Sequence, residues 1–173
     1  MVELKPKVEL KEKGEAAYIP VEQLVVTLKW TEAVDLDLMG FYRTHNGREG
    51  AVYYGEKGDM NAFPFMALDE DMGVGDVGGE NEENLRITNL KEMAHLLIVT
   101  SIYNKPDSNF GRYDGKVTIV SGSGDNIEVP LTATETGQWC VIARIDNSTP
   151  IGAKLINVNK VQKEQPTIGQ FIQ

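Results

Sequence analysis

The sequence has one cysteine, Cys140, and two histidines, His45 and His95, in 173 residues. A single cysteine rules out an intrachain disulfide framework and a thiolate zinc site. Basic residues are also scarce: Lys and Arg total 17 against 26 Asp and Glu, a formal net charge of −9. Neutralising a phosphate backbone needs clustered cations, so a sequence-independent nucleic-acid binder is not expected. No apolar run approaches the ~20 residues of a membrane span, so membrane insertion is not expected either. The opening residues, MVELKPKVELKEKGE, lack an apolar core of signal-peptide length. A cytoplasmic protein is the corresponding expectation.

No sustained helical period is present. Seventeen glycines and seven prolines punctuate short β-branched and apolar runs, which favours an all-β chain. Val8 and Leu10, set among Lys and Glu, read as a charged edge strand. Leu24 to Trp30 reads as a strand with Val26, Leu28 and Trp30 on one face. Asp35 to Tyr42 follows, with Leu36 and Leu38 inward and Asp35 and Asp37 on the opposite face. After an Asn46-Gly47 turn comes a short strand, Ala51 to Tyr54. Leu85 to Leu90 is a short strand or connector, and Ala94 to Tyr103 is the best central strand. Lys116 to Val120 and Ile127 to Leu131 form a hairpin, and Trp139 to Ile145 and Gly152 to Val161 close the series. Nine or ten short strands point to a β-sandwich of two mainly antiparallel sheets, with a closed barrel as the alternative. The expected organisation is one domain over residues 1–163 and a loosely held polar tail over 164–173.

Residues 55–83 break the rhythm. They hold nine acids: Glu56, Asp59, Asp69, Glu70, Asp71, Asp76, Glu80, Glu82 and Glu83. Glycines, Gly73 among them, are interspersed; only Phe63 to Leu68 looks ready to pack, and the segment reads as one long acidic loop. Hard cations such as Ca²⁺ take six to eight oxygens from carboxylates and carbonyls. Alternating Asp and Gly supplies both, since glycine lets the backbone turn and aim its carbonyls. Counted from Asp69, an EF-hand frame puts acids at positions one, three and twelve (Asp69, Asp71, Glu80). Position six is Val74 instead of Gly, and the flanks read as strand, so a helix-loop-helix site is rejected. What remains is a cation loop between strands, or an acidic loop that is simply solvated. Asp35 and Asp37 share a strand face and would complete an oxygen shell if the loop lies beside them.

Leu28-Lys29-Trp30 followed by Asp35-Leu36-Asp37 resembles the opening of the TerD domain of bacterial tellurium-resistance and general stress proteins. Asp71-Met72-Gly73-Val74-Gly75-Asp76, with Glu82 and Glu83 downstream, is similar to that family's acidic loop. Leu97 to Tyr103, Phe110 and Trp139 resemble its later strands, so the likeness runs from about Leu24 to Ile145. The resemblance implies a β-sandwich that binds one or two Ca²⁺ ions at one end and takes part in a stress response. It implies no catalytic activity; a scaffold or sensor with protein partners is the expectation. The metal-ligand candidates are Asp35, Asp37, Asp69, Asp71, Gly73, Asp76, Glu80, Glu82 and Glu83.

Catalytic signals are thin. No G-x-S-x-G elbow, P-loop or dinucleotide fingerprint is present. His95 reads as a packed strand residue, His45 as exposed beside a turn, and Cys140 as a core residue. A Mg²⁺- or Mn²⁺-dependent hydrolase using the same acids is the alternative function.

Overall fold

The computed structural model describes residues 6–69, 81–102 and 107–172. Among these residues thirteen strands follow in chain order: β1 (Val8–Glu9), β2 (Ala16–Ile19), β3 (Glu22–Trp30), β4 (Leu36–Thr44), β5 (Glu49–Val52), β6 (Gly58–Asp59), β7 (Met66–Leu68), β8 (Asn81–Asn89), β9 (Met93–Ile102), β10 (Lys116–Ser121), β11 (Asn126–Pro130), β12 (Trp139–Asp146) and β13 (Ala153–Gln162). Single 3₁₀ turns span Phe110–Arg112 and Ile168–Gln170.

The strands form two sheets. One has the order β1-β11-β10-β3-β8-β7-β6, the other β2-β13-β12-β9-β4-β5. Every pairing is antiparallel except β1 with β11. The sandwich expected from the strand rhythm is therefore present. Period-two burial builds its interior: Leu24, Val26, Leu28 and Trp30 of β3 alternate with less buried neighbours. They pack with Leu36 and Leu38 of β4, Leu85 and Ile87 of β8, and Leu96 and Ile98 of β9 in one shared core.

β9 lies in the middle of its sheet, and all ten of its residues are buried. Both its faces are covered, because the outer side carries a second apolar cluster. There Met39, Phe41, Leu97, Val99 and Val141 pack with Ile168. This corrects the loose tail expected after residue 163. Ile168 is buried, and Phe171 and Ile172 pack against the same cluster. A capping box closes the turn, with the Thr167 N–H donating to Gln170 Oε1 at 2.8 Å.

The long loop is also shorter than its composition suggests. Strands β6 and β7 lie inside it, and β8 begins at Asn81, so Glu82 and Glu83 are strand residues. The length of β3 accounts for this. Its ladder with β8 runs on through Leu28↔Glu83, Lys29↔Glu82 and Trp30↔Asn81. Ladder bonds are made by backbone, so acidic side chains do not end them. Likewise β5 starts two residues earlier than expected, and Tyr53 and Tyr54 fall in the turn after it.

At Gly40 the two sheets come close. A Cβ there would lie 3.1 Å from Leu96 Cδ1 and 3.2 Å from Leu85 Cδ2, the latter on the facing sheet. That approach positions the site.

Candidate metal centre

β5 pairs with β4 from Arg43↔Glu49 as far as Gly40↔Val52. Among the described residues no strand continues that pairing past Gly40, which leaves the edge of β4 at residues 36–38 open. Glu83 meets that edge from the facing sheet. It shares the inward face of β8 with Leu85 and Ile87, and its Oε1 accepts the Leu38 N–H at 3.0 Å. Leu38 and Glu83 each lie two residues from the close approach of Gly40 and Leu85. The hydrogen bond therefore follows from the core packing beside it.

Asp35 precedes β4, and Asp37 lies on its outer face, opposite buried Leu36 and Leu38. Asp35, Asp37 and Glu83 converge: one carboxylate oxygen from each lies within 4.8 Å of the others. Calcium–oxygen distances are ~2.3–2.6 Å, so three oxygens so spaced can share one ion. Three carboxylates offer three to six of the six to eight oxygens such an ion takes. Their like charge favours a divalent cation between them. The donor set, all carboxylate oxygen, suits Ca²⁺ or Mg²⁺ better than a softer metal.

The other candidates are dispersed. Asp69 is engaged by Arg86, whose Nε lies 2.8 Å from Oδ1. That carboxylate raises the pKa of the Arg86 guanidinium by accepting its hydrogen bond. Glu82 faces the opposite side of β8 from Glu83 and lines a separate groove of about 340 Å³ with Lys29, Asp114 and Lys116. Asp71, Gly73, Asp76 and Glu80 lie outside the described residues.

A groove of about 670 Å³ adjoins the cluster on the outer face of the second sheet. Asp35 and Asp37 line it together with Phe41, Tyr53, Tyr54 and Trp139. Sequence reasoning missed this groove. The alternation Asp37-x-Met39-x-Phe41 was legible as one strand face, but its partners come from the turn after β5 and from β12.

The cysteine and both histidines lie away from the cluster. Cys140 is fully buried, and loss of solvent pushes its thiol well above the usual range. His95 is buried with Nδ1 at 3.9 Å from Asp146 Oδ1. Burial lowers its pKa, and the Asp146 carboxylate opposes this only in part. His45 is exposed and lines a groove with Arg48 and Lys91. Among the described residues no helix is long and apolar enough to cross a membrane.

No family model and no curated protein matches this sequence. Solved structures do match the fold. One is the crystal structure of SAV2460, a protein of unknown function, with 11% identity, a TM-score of 0.59, and coverage of 83% of this chain and 94% of that one. Another is SCO6318 from Streptomyces coelicolor A3(2), a homologue of the telluride resistance protein TerD. It has 15% identity and a TM-score of 0.58, over 84% of this chain and 93% of that one. At these identities the likeness is one of fold, and the fold of this chain is TerD-like.

Proposed function

We propose that this chain is a calcium-binding, non-enzymatic stress-response protein of the TerD type, acting in the cytoplasm as a scaffold or sensor. The observation that carries the reading is the convergence of Asp35, Asp37 and Glu83 from two sheets on one point. The TerD-like fold supports it, as does the opening Leu28-x-Trp30…Asp35-x-Asp37 that delivers two of the three acids. When bound, Ca²⁺ would supply charge neutralisation and a cross-link between the sheets. Asp37 on β4, Asp35 just before that strand and Glu83 on β8 would hold it, with Leu38 N–H fixing the Glu83 carboxylate. Binding to the folded chain alone raises its stability by mass action. A sensor needs no more than that coupling: occupancy changes the charge and rigidity of one end of the sandwich. The test is a melting curve with and without calcium, compared between wild type and Asp37→Asn.

The adjoining groove favours a second reading, a Mg²⁺- or Mn²⁺-dependent hydrolase that uses the same acids. Such an enzyme needs a base or nucleophile beside the metal. Ser101, Tyr53 and Tyr54 line the groove beside the two carboxylates, so groups of that type are at hand; the binding reading is preferred because it asks only for the three converging carboxylates. Hydrolysis of nitrophenyl phosphates or esters, dependent on Mg²⁺ or Mn²⁺ and lost in Asp37→Asn, would establish the enzyme instead.

A further inference from the structure

The groove beside the carboxylates combines two features that recognise one chemistry. Asp37, Met39 and Phe41 follow one another along the outer face of β4, so that carboxylate and apolar side chains line one groove. Tyr53 and Tyr54 meet edge to face, with centroids 5.5 Å apart, and line the groove with Trp139. Carboxylates bind cations by charge, and aromatic faces bind them through the ring quadrupole. Arginine satisfies both at once, since its planar guanidinium pairs with carboxylates two-pronged and stacks on rings. The volume, about 670 Å³, lies within the ~300–1,000 Å³ of ligand sites. Tyr54, which lines the groove, is 65% exposed, so the groove is reachable from solvent on that side. Enclosed metabolites lose most of their surface to a pocket, whereas an open trough suits a side chain carried on an extended peptide. The net charge of −9 draws such a segment in.

We propose that this groove seats an arginine-bearing segment of a partner protein, with its guanidinium against Asp35 and Asp37 and among the Tyr53, Tyr54 and Trp139 rings. Calcium held by the same two carboxylates displaces it, a step that rests on the calcium reading above. The peptide site itself does not depend on calcium. Ion and guanidinium compete for the same oxygens, so each weakens the other by the same factor.

The experiment is a calorimetric titration of the full chain with an end-blocked penta-arginine peptide, first in chelator at physiological ionic strength. Saturable one-to-one binding is expected. Asp35→Asn combined with Asp37→Asn should weaken it at least tenfold. Tyr54→Ala should weaken it about threefold to tenfold. Glu22→Gln removes an exposed acid paired with Lys91, and should leave affinity within twofold. No saturable binding, equal losses in Glu22→Gln and the double variant, or an unchanged Tyr54→Ala each overturns the site. Millimolar calcium at constant ionic strength should weaken the peptide at least tenfold. Peptide affinity unchanged by calcium, when calcium alone gives a saturable heat, overturns the competition and leaves the calcium reading standing. No heat from calcium alone overturns the calcium reading and the displacement step with it, and the chelator titration still decides the peptide site.

Discussion

Glu83 on β8 accepts the backbone N–H of Leu38 on β4 at 3.0 Å, joining the two sheets across 45 residues of sequence. The acceptor is a carboxylate and the donor is at a strand edge that β5 does not cover. One side chain therefore serves the fold and the candidate metal centre together. Substitution can separate the two roles. Glu83→Gln keeps an oxygen acceptor and loses the charge; Glu83→Ala loses both. We expect Glu83→Ala to cost about 1–2 kcal/mol without metal, a fall in Tm of roughly 2–8 °C. Glu83→Gln should cost less, yet both should bind calcium poorly. Thermal melts in chelator and in calcium read the two effects apart.

Gly40 sets the distance over which Glu83 must reach. Its missing side chain is what lets Leu85 and Leu96 close over β4. Gly40→Ala should cost about 1–3 kcal/mol by overpacking, and Gly40→Val more. Both should weaken calcium binding although neither touches the carboxylates. A calcium affinity unchanged in a folded Gly40→Val would show that the sheet spacing does not position Glu83.

His95 should make the protein acid-sensitive. Burial holds its folded pKa below the usual histidine value, while the unfolded chain keeps a value near ~6.5. Below that value the unfolded state binds the extra proton more readily. His95 therefore contributes stability that is present above about pH 6.5 and lost as the pH falls through its lower folded pKa. Urea midpoints at pH 7.5, 6.5 and 5.5 should fall in that order, and His95→Gln should flatten the series. A midpoint that rises on acidification would contradict this.

Ile168 tests the docked tail. It is buried on the outer cluster with Met39, Phe41, Leu97 and Val99. Ile168→Ala should cost about 2–3 kcal/mol, the lower part of the range for buried truncations. Limited proteolysis after residue 163 should speed up in the variant. A variant as stable and as resistant as wild type would mean that the tail is not held.

Much of this architecture was legible because β-sandwiches write their burial in steps of two. β3, β4, β9, the β10–β11 hairpin, β12 and β13 all lie where alternation and turn residues put them, and Asp35 and Asp37 line one groove. Local pattern failed where a distant partner decided the outcome. Asn81-Glu82-Glu83-Asn84 has no apolar signature, and it is a strand because β3 is long enough to pair with it. The period of two does run on through Asn81, Glu83, Leu85 and Ile87, a signal hidden by reading acids as loop. The tail hid its apolar residues, Ile168, Phe171 and Ile172, among polar neighbours. Which acids converge is a matter of tertiary contact. Asp69 had the right chemistry and is paired with Arg86 instead.

Calcium binding by Asp35, Asp37 and Glu83 is tested most directly by a calorimetric titration of chelator-treated protein with Ca²⁺, read beside the Tm of the same samples. Saturable binding of one or two ions and a rise in Tm are expected, with most of both lost in Asp35→Asn and in Asp37→Asn. No heat and no Tm shift at millimolar Ca²⁺, or variants that respond as the wild type does, would contradict it.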